Sequence, residues 1–172
     1  MKLIPLTQGK FAHVDDEDYQ HLIKLKWNAL KSGDTFYARS KGKSMHRKIL
    51  GLTDPKIKCD HIDHNGLNNQ RDNLRVATYS QNNANTLSRK NSTSKYLGVS
   101  LKNQTVNGKT YTYWYAQIRK DKKNIYCRRF KNEIDAAKQY NKWASEIHGI
   151  FANLNYVIPS PGQQSELILE VS

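Results

Sequence analysis

Apolar and polar residues alternate in short runs along the first forty positions: Lys10-Phe11-Ala12-His13-Val14, Lys26-Trp27-Asn28-Ala29-Leu30 and Thr35-Phe36-Tyr37-Ala38-Arg39. Each run has the length and period of a half-buried strand. Between the first two, Asp15 to Leu25 carries Tyr19, Leu22 and Ile23 at helical spacing behind the acidic cluster Asp15, Asp16, Glu17 and Asp18. Carboxylates at that place predict a helix N-terminus, where they cap free amides and complement the helix dipole. Met45-His46-Arg47-Lys48-Ile49-Leu50 predicts a short helix that runs into a turn at Asp54-Pro55. Residues 58–85 are rich in Asn, Asp and His with few apolar positions, so they form no core alone and take their order from elsewhere.

The polar, aperiodic stretch that follows predicts a linker over 88–95. It divides a first region, 1–87, from a second module, 96–157, and a tail, 158–172. In the second module three strand-like runs near 96–102, 111–120 and 124–130 precede an amphipathic helix near 132–148. Period-two alternation places Trp114, Ala116 and Ile118 on one face of the second strand and Tyr115, Gln117 and Arg119 on the other. In the third strand, Ile125 and Cys127 are expected to oppose Asn124, Tyr126 and Arg128. The apolar set should pack on a helix face of Ile134, Ala137, Ala144 and Ile147. The fold class expected is α+β. Leu167-Ile168-Leu169 in the tail is assigned no element.

Charge changes the picture from fold to partner. There are 28 Lys and Arg against 15 Asp and Glu, a formal +13. From Ser88 to Lys131 twelve basic residues face one acidic residue, Asp121, so most of the excess lies in a quarter of the chain. The same stretch holds Tyr96, Tyr111, Tyr113, Trp114, Tyr115, Tyr126 and Phe130, too many aromatics for a disordered basic tail. A folded module that binds a polyanion is the expectation. No run approaches the roughly 18 apolar residues of a membrane span, and the N-terminus lacks the apolar core of a signal peptide, so the protein is expected to work inside a cell. Cys59 and Cys127 are read as free thiols, too few for a four-cysteine zinc site.

The segment from Cys59 to Asn83 carries the chemistry. It holds Asp60-His61, a turn at Asn65-Gly66, the run Asn73-Leu74-Arg75 and a following Asn82. In these residues the chain resembles the zinc-free branch of the HNH nucleases, found in phage and intron-encoded homing endonucleases. That resemblance implies a ββα-metal (His-Me finger) centre. It implies His61 as the general base, since a neutral imidazole takes a proton from water at ordinary pH. It implies Asp60 and Asn82 as ligands of a divalent cation, Mg²⁺ or Mn²⁺ with no zinc, and Asn73 as a structural residue that bridges the loop and orients His61. Asp63 and His64 lie off the pattern and are read as solvated loop residues. His46, before an Arg, is read as packing or phosphate contact, and His13, His21 and His148 as structural.

From about Lys95 to Tyr156 the chain also resembles the AP2 domain, a three-stranded sheet on one helix. The matching stretches are Tyr96-Leu97-Gly98-Val99, Trp114 to Arg119, Ala136 to Asn141 and Asn153-Leu154-Asn155-Tyr156. The resemblance implies a sheet face that reads double-stranded DNA, here Lys102, Tyr115, Gln117, Arg119, Asn124, Tyr126 and Arg128. The first strand departs from the family's arginine-rich pattern with Ser100 and Lys102, and an insertion near Thr105 to Lys109 lengthens the first turn. Together the two resemblances imply a homing-type endonuclease of phage or bacterial origin, acting in the host cytoplasm, with a monomer as the expected form. The rival expectation is a transcriptional or architectural DNA-binding protein that does not cut. An RNA-binding protein has only the charge and the aromatics in its favour.

Overall fold

A computed structural model describes residues 1–88 and 91–158. The chain divides into two compact units, Met1–Asn85 and Thr86–Ser172. The tail from Pro159, with its apolar run, lies outside the described residues, as do Arg89 and Lys90 of the expected linker.

The first unit is a set of small antiparallel sheets around one core. Strand β1 (Lys2–Pro5), which the alternation pattern did not mark, pairs with β2 (Phe11–Val14). Helix α1 (Asp16–Leu22) follows, and then the meander β3 (Asn28–Ser32), β4 (Thr35–Ser40) and β5 (Lys43–Ser44), which leads into α2 (Met45–Ile49). Strand β6 (Lys58–His61) pairs with β7 (Leu74–Ala77), and α3 (Tyr79–Ala84) closes the unit. Ile4, Ala12, Val14, Leu22, Trp27, Ala38, Met45, Ile49 and Leu74 form the core. The Asn-rich segment thus reaches the core through Leu74 alone among these fully buried residues, with Cys59 packed beside it.

The acidic cluster does different work from the capping expected of it. Asp15 stands at the N-cap, yet its carboxylate makes no cap hydrogen bond. It accepts instead from the Arg71 backbone amide at 2.7 Å and from Gln70 Nε2 at 3.1 Å. Asp18 is buried and takes the Arg71 guanidinium in two hydrogen bonds of 2.8 Å, with Glu17 on the same arginine. Such a forked pair is directional, so it pins α1 to the segment that enters β7.

In the second unit β8 (Val99–Val106), β9 (Lys109–Lys120) and β10 (Lys123–Phe130) form one antiparallel sheet in the order β10-β9-β8, followed by α4 (Glu133–His148). Asn132 caps α4 by accepting from the Asp135 amide at 2.8 Å. The helix buries Ala136, Ala137, Tyr140 and Ala144 against Val99, Ala116 and Ile118. Small alanines bring it close to the sheet, and Gly98 completes the approach: a Cβ there would lie 2.1 Å from the Tyr140 ring. Polar residues of the expected linker are bound in as well. Thr93 Oγ1 accepts from the Leu101 amide, and Ser94, only 4% exposed, donates to Glu133 at 2.7 Å.

The alternation expected of β10 is corrected. Its pairing with β9 shifts between Asn124 and Tyr126, so Ile125 is an extra residue and the phase inverts beyond it. Tyr126, Arg128 and Phe130 pair with Ile118, Ala116 and Trp114 and stand on the helix side. Tyr126 accordingly packs its ring 5.6 Å from that of Trp143 on α4. Cys127 and Arg129, opposite Gln117 and Tyr115, take the outward positions.

Candidate active site and basic sheet face

The candidate site is built where β6 ends. In the β6–β7 register Asp60 faces Arg75 and His61 faces Leu74, so pairing to a core-anchored strand fixes both residues. Helix α3 begins with a full capping box, Thr78 accepting from the Gln81 amide and Gln81 from the Thr78 amide. It ends at Asn85, whose buried side chain reaches back to β6.

Asp60 is 6% exposed and hydrogen-bonded at both carboxylate oxygens. Arg75 donates to Oδ2 through Nε at 2.8 Å and Nη2 at 2.6 Å. Asn85 Nδ2 lies 3.1 Å from each carboxylate oxygen and 3.2 Å from the His61 carbonyl oxygen, bracing both residues of the pair. The sequence reading missed Asn85. Its signal is helical spacing, since it follows Asn82 by three positions and shares that residue's side of α3. Asn82 lies one turn into α3, its amide N–H on the Thr78 carbonyl, and the hydrogen bonds on Asp60 come from Arg75 and Asn85 rather than from it.

Asn73 spans the loop between the strands. Its Oδ1 accepts from the Asp63 amide at 3.0 Å, while Nδ2 donates to Asp63 Oδ1 at 2.9 Å and to the Asn68 carbonyl at 2.8 Å. Its own carbonyl accepts from the Ile62 amide at 3.0 Å. Asp63, expected to be merely solvated, is the other half of this brace and also receives the Asn65 amide and Asn68 Nδ2, each at 2.8 Å. Those donors draw its carboxyl below the ordinary range against an opposing push from partial burial. His64 sits in the same loop with φ of 62°.

His61 is 6% exposed and packed edge-on against two rings, Tyr37 of β4 at 5.7 Å and His46 of α2 at 5.0 Å between centroids. Burial lowers its pKa, opposed by the contact with Asn69 and by the charges of Asp63 and Asp60. Burial drives His46 further, down to about 3, with His61 and two arginines adding to the shift, so His46 is neutral at ordinary pH. Among the described residues, Arg39 Nε and His46 Nδ1 are the buried side-chain polar atoms without a hydrogen-bond partner.

A hard cation such as Mg²⁺ takes only one or two protein oxygens and completes its shell with water and phosphate. Asp60 Oδ1 carries one hydrogen bond, leaving a lone pair, and no hydrogen bond occupies the Asn82 amide oxygen among the described residues. Each residue thus offers the kind of oxygen donor that such a cation takes. Among the described residues no group of three or more His, Cys, Asp and Glu is placed to hold a metal.

In the second unit the outward sheet face gathers Lys102 opposite Tyr113, with Tyr115, Gln117 and Arg119 along β9 and Asn124 opposite Arg119. Arg129, absent from the expected set, lies 4.5 Å over the Tyr113 ring and donates to Gln104 at 2.7 Å. Arg119 donates to the Lys122 carbonyl at 2.8 Å. No helix of the described residues is long and apolar enough to cross a membrane.

No family model matches the chain, and no solved structure matches it. It is 35% identical over 160 residues to a protein of Acanthamoeba polyphaga mimivirus named an uncharacterized HNH endonuclease, an alignment that spans 90% of this chain and 80% of that protein. Identity at that level over nearly the whole length shows the family, and the chain belongs to the HNH endonucleases.

Proposed function

We propose that this protein is a DNA endonuclease that depends on a divalent cation, with a ββα-metal centre in the first unit and a DNA-binding, AP2-like sheet in the second. The observation that carries the proposal is the buried Asp60-His61 pair at the end of β6, braced by Arg75 and Asn85 and faced by a loop that Asn73 holds closed.

His61 serves as the general base. Burial favours its neutral form, which takes the proton from the water attacking the scissile phosphorus. Asp60 and Asn82 would hold Mg²⁺ or Mn²⁺, which supplies electrostatic stabilisation of the charge that builds at phosphorus and on the leaving oxygen. Arg75 and Asn85 keep the Asp60 carboxylate in place. Asn73 keeps the loop from collapsing over the base.

Double-stranded DNA lies on the outward face of the second sheet, where Lys102 and Arg129 hold phosphates and Gln117, Arg119, Asn124 and Tyr115 face the groove. Tyr126 and Arg128 stand on the helix side and are left out of this face. Arg119→Ala is expected to weaken specific binding by about 1–3 kcal/mol if the arginine reads a base edge, and an unchanged binding isotherm removes Arg119 from the interface. A monomeric, homing-type enzyme acting inside a cell fits the pairing of a cutting unit with a site-reading unit.

Plasmid cleavage by the full chain tests the proposal. Nicked or linear product with Mg²⁺ or Mn²⁺, and none with EDTA, is the expected result. Binding without cutting in every metal would leave a DNA-binding protein with a silent nuclease centre.

A further inference from the structure

Behind His61 runs the loop from Ile62 to Gln70, which Asn73 braces from within the motif and two strands clamp from outside it. Strand β2 takes one side: the His13 amide donates to the Leu67 carbonyl and the Asn69 amide to the His13 carbonyl, both at 2.8 Å. Strand β4 takes the other. At Gly66 a Cβ would sit 2.5 Å from the Phe36 carbonyl oxygen and 2.7 Å from the Tyr37 ring, so only glycine lets the loop press this close. Between the two clamps Asn69 is wholly buried, at 0% exposure. A buried primary amide needs partners on both of its ends, and Asn69 has one on each: Oδ1 lies 3.4 Å from His61 Nε2, and Nδ2 lies 3.5 Å from the Gly66 carbonyl oxygen.

We propose that Asn69 is the positioning residue for His61, fixing its imidazole with the proton on Nε2 and the lone pair on Nδ1. The inference rests on His61 being the base. Which way the amide points follows from the Gly66 carbonyl, which can only accept. It must face Nδ2, so Oδ1 must face the ring. That oxygen also only accepts, so the ring nitrogen against it carries the hydrogen. A neutral imidazole has one N–H, which leaves Nδ1 as the atom that takes the proton from water. The flipped amide would set oxygen against oxygen at Gly66 and cost an unmet buried group at that end. Both contacts are long, so Asn69 acts as a shape-fixed shelf behind the ring rather than as a strong bond. Tyr37 and His46 hold the ring's faces and edges while Asn69 holds its far nitrogen.

The test uses the full chain labelled with ¹⁵N at histidine, with long-range ¹H–¹⁵N spectra recorded near neutral pH, and the near-isosteric variant Asn69→Leu. In the wild type the His61 Nε2 signal should be of the protonated kind and Nδ1 of the bare kind. A slowly exchanging Nε2 proton should be present in the wild type and lost in Asn69→Leu. In metal-supported cleavage Asn69→Leu should lose kcat by roughly 10- to 100-fold, the range for a residue that orients a site group, with KM within a few-fold. If wild type cuts but His61 carries its lone pair on Nε2, or if Asn69→Leu folds and keeps its kcat, the assignment of Asn69 is overturned while the base stands. If Asn69→Leu does not fold, the wild-type spectrum decides alone. Absence of cutting by the wild type on every DNA and metal tried defeats the reading of His61 as base, and this inference falls with it.

Discussion

His61→Ala is expected to cut DNA at least about 10²–10⁴-fold more slowly than the wild type, the span that general-base catalysis contributes, while its DNA affinity stays within a few-fold. The asymmetry follows from where the residue sits. His61 is nearly sealed among Tyr37, His46 and Asn69 in the first unit, whereas the basic sheet face belongs to the second. Alanine there removes a proton acceptor without removing a cation. The pH dependence should carry the same signature. Because burial lowers the imidazole pKa from 6.5, the base form predominates at neutral pH, and the acid limb of kcat/KM should fall below the ordinary histidine range. Equal loss of cutting and binding in His61→Ala would show a structural role, and an acid limb above 6.5 would point to another base.

The chemistry was more legible in the sequence than its support. Asp60, His61, Asn73 and Asn82 fall within one short stretch, and the resemblance to the HNH pattern is what singles them out there. Asn69 uses the same side chain in the same stretch and is silent there, and Asn85 shows only its helical spacing from Asn82, because what distinguishes them is contact with His61 and Asp60 across the fold. Tyr37 and His46 come from elements far upstream and reach His61 only through packing on the common core. The acidic cluster before α1 shows the converse. Four carboxylates at a helix start satisfy the local rule for capping, but Asp15 takes the Arg71 backbone amide and the buried Asp18 takes its guanidinium, partners from a distant segment that a local rule does not see.

In the second unit, helix α4 and the three strands could be read from periodicity, since each is long and their apolar faces meet at Ala116, Ile118 and Ala137. The outward set on β9 followed from the same alternation. On β10 it failed at one residue. Nothing in Lys123-Asn124-Ile125-Tyr126 announces an extra position, yet with Ile125 bulged every later side chain changes face. Arg129 therefore replaces Arg128 beside Tyr113, and an arginine scan of this strand should find the larger effect on DNA binding at Arg129.

Gly98→Ala should unfold or severely loosen the second unit. Two costs add. The backbone φ of +73° is in the left-handed region, where a Cβ costs about 1–2 kcal/mol. The new methyl also meets the Tyr140 ring at 2.1 Å and the Gln117 carbonyl oxygen at 2.8 Å, and overpacking of that kind costs about 1–3 kcal/mol more. Neither neighbour can yield easily, because Tyr140 is buried and the Gln117 amide is hydrogen-bonded to the Gly98 carbonyl at 2.9 Å. A core of this size rarely supplies more than about 3–5 kcal/mol, so the sum is close to the whole margin. Gly108→Ala isolates the clash: the turn has the same φ of +73° with nothing within 4 Å of the added Cβ, and it should cost only the backbone share. Unfolding followed by the fluorescence of Trp114 and Trp143, both partners in this core, reads the difference. Because the nuclease residues all belong to the first unit, Gly98→Ala should lose most of its DNA affinity at moderate salt while the environment of Trp27 is unchanged. Wild-type affinity in a Gly98→Ala protein whose second unit has melted would move the DNA interface off the sheet and onto the first unit.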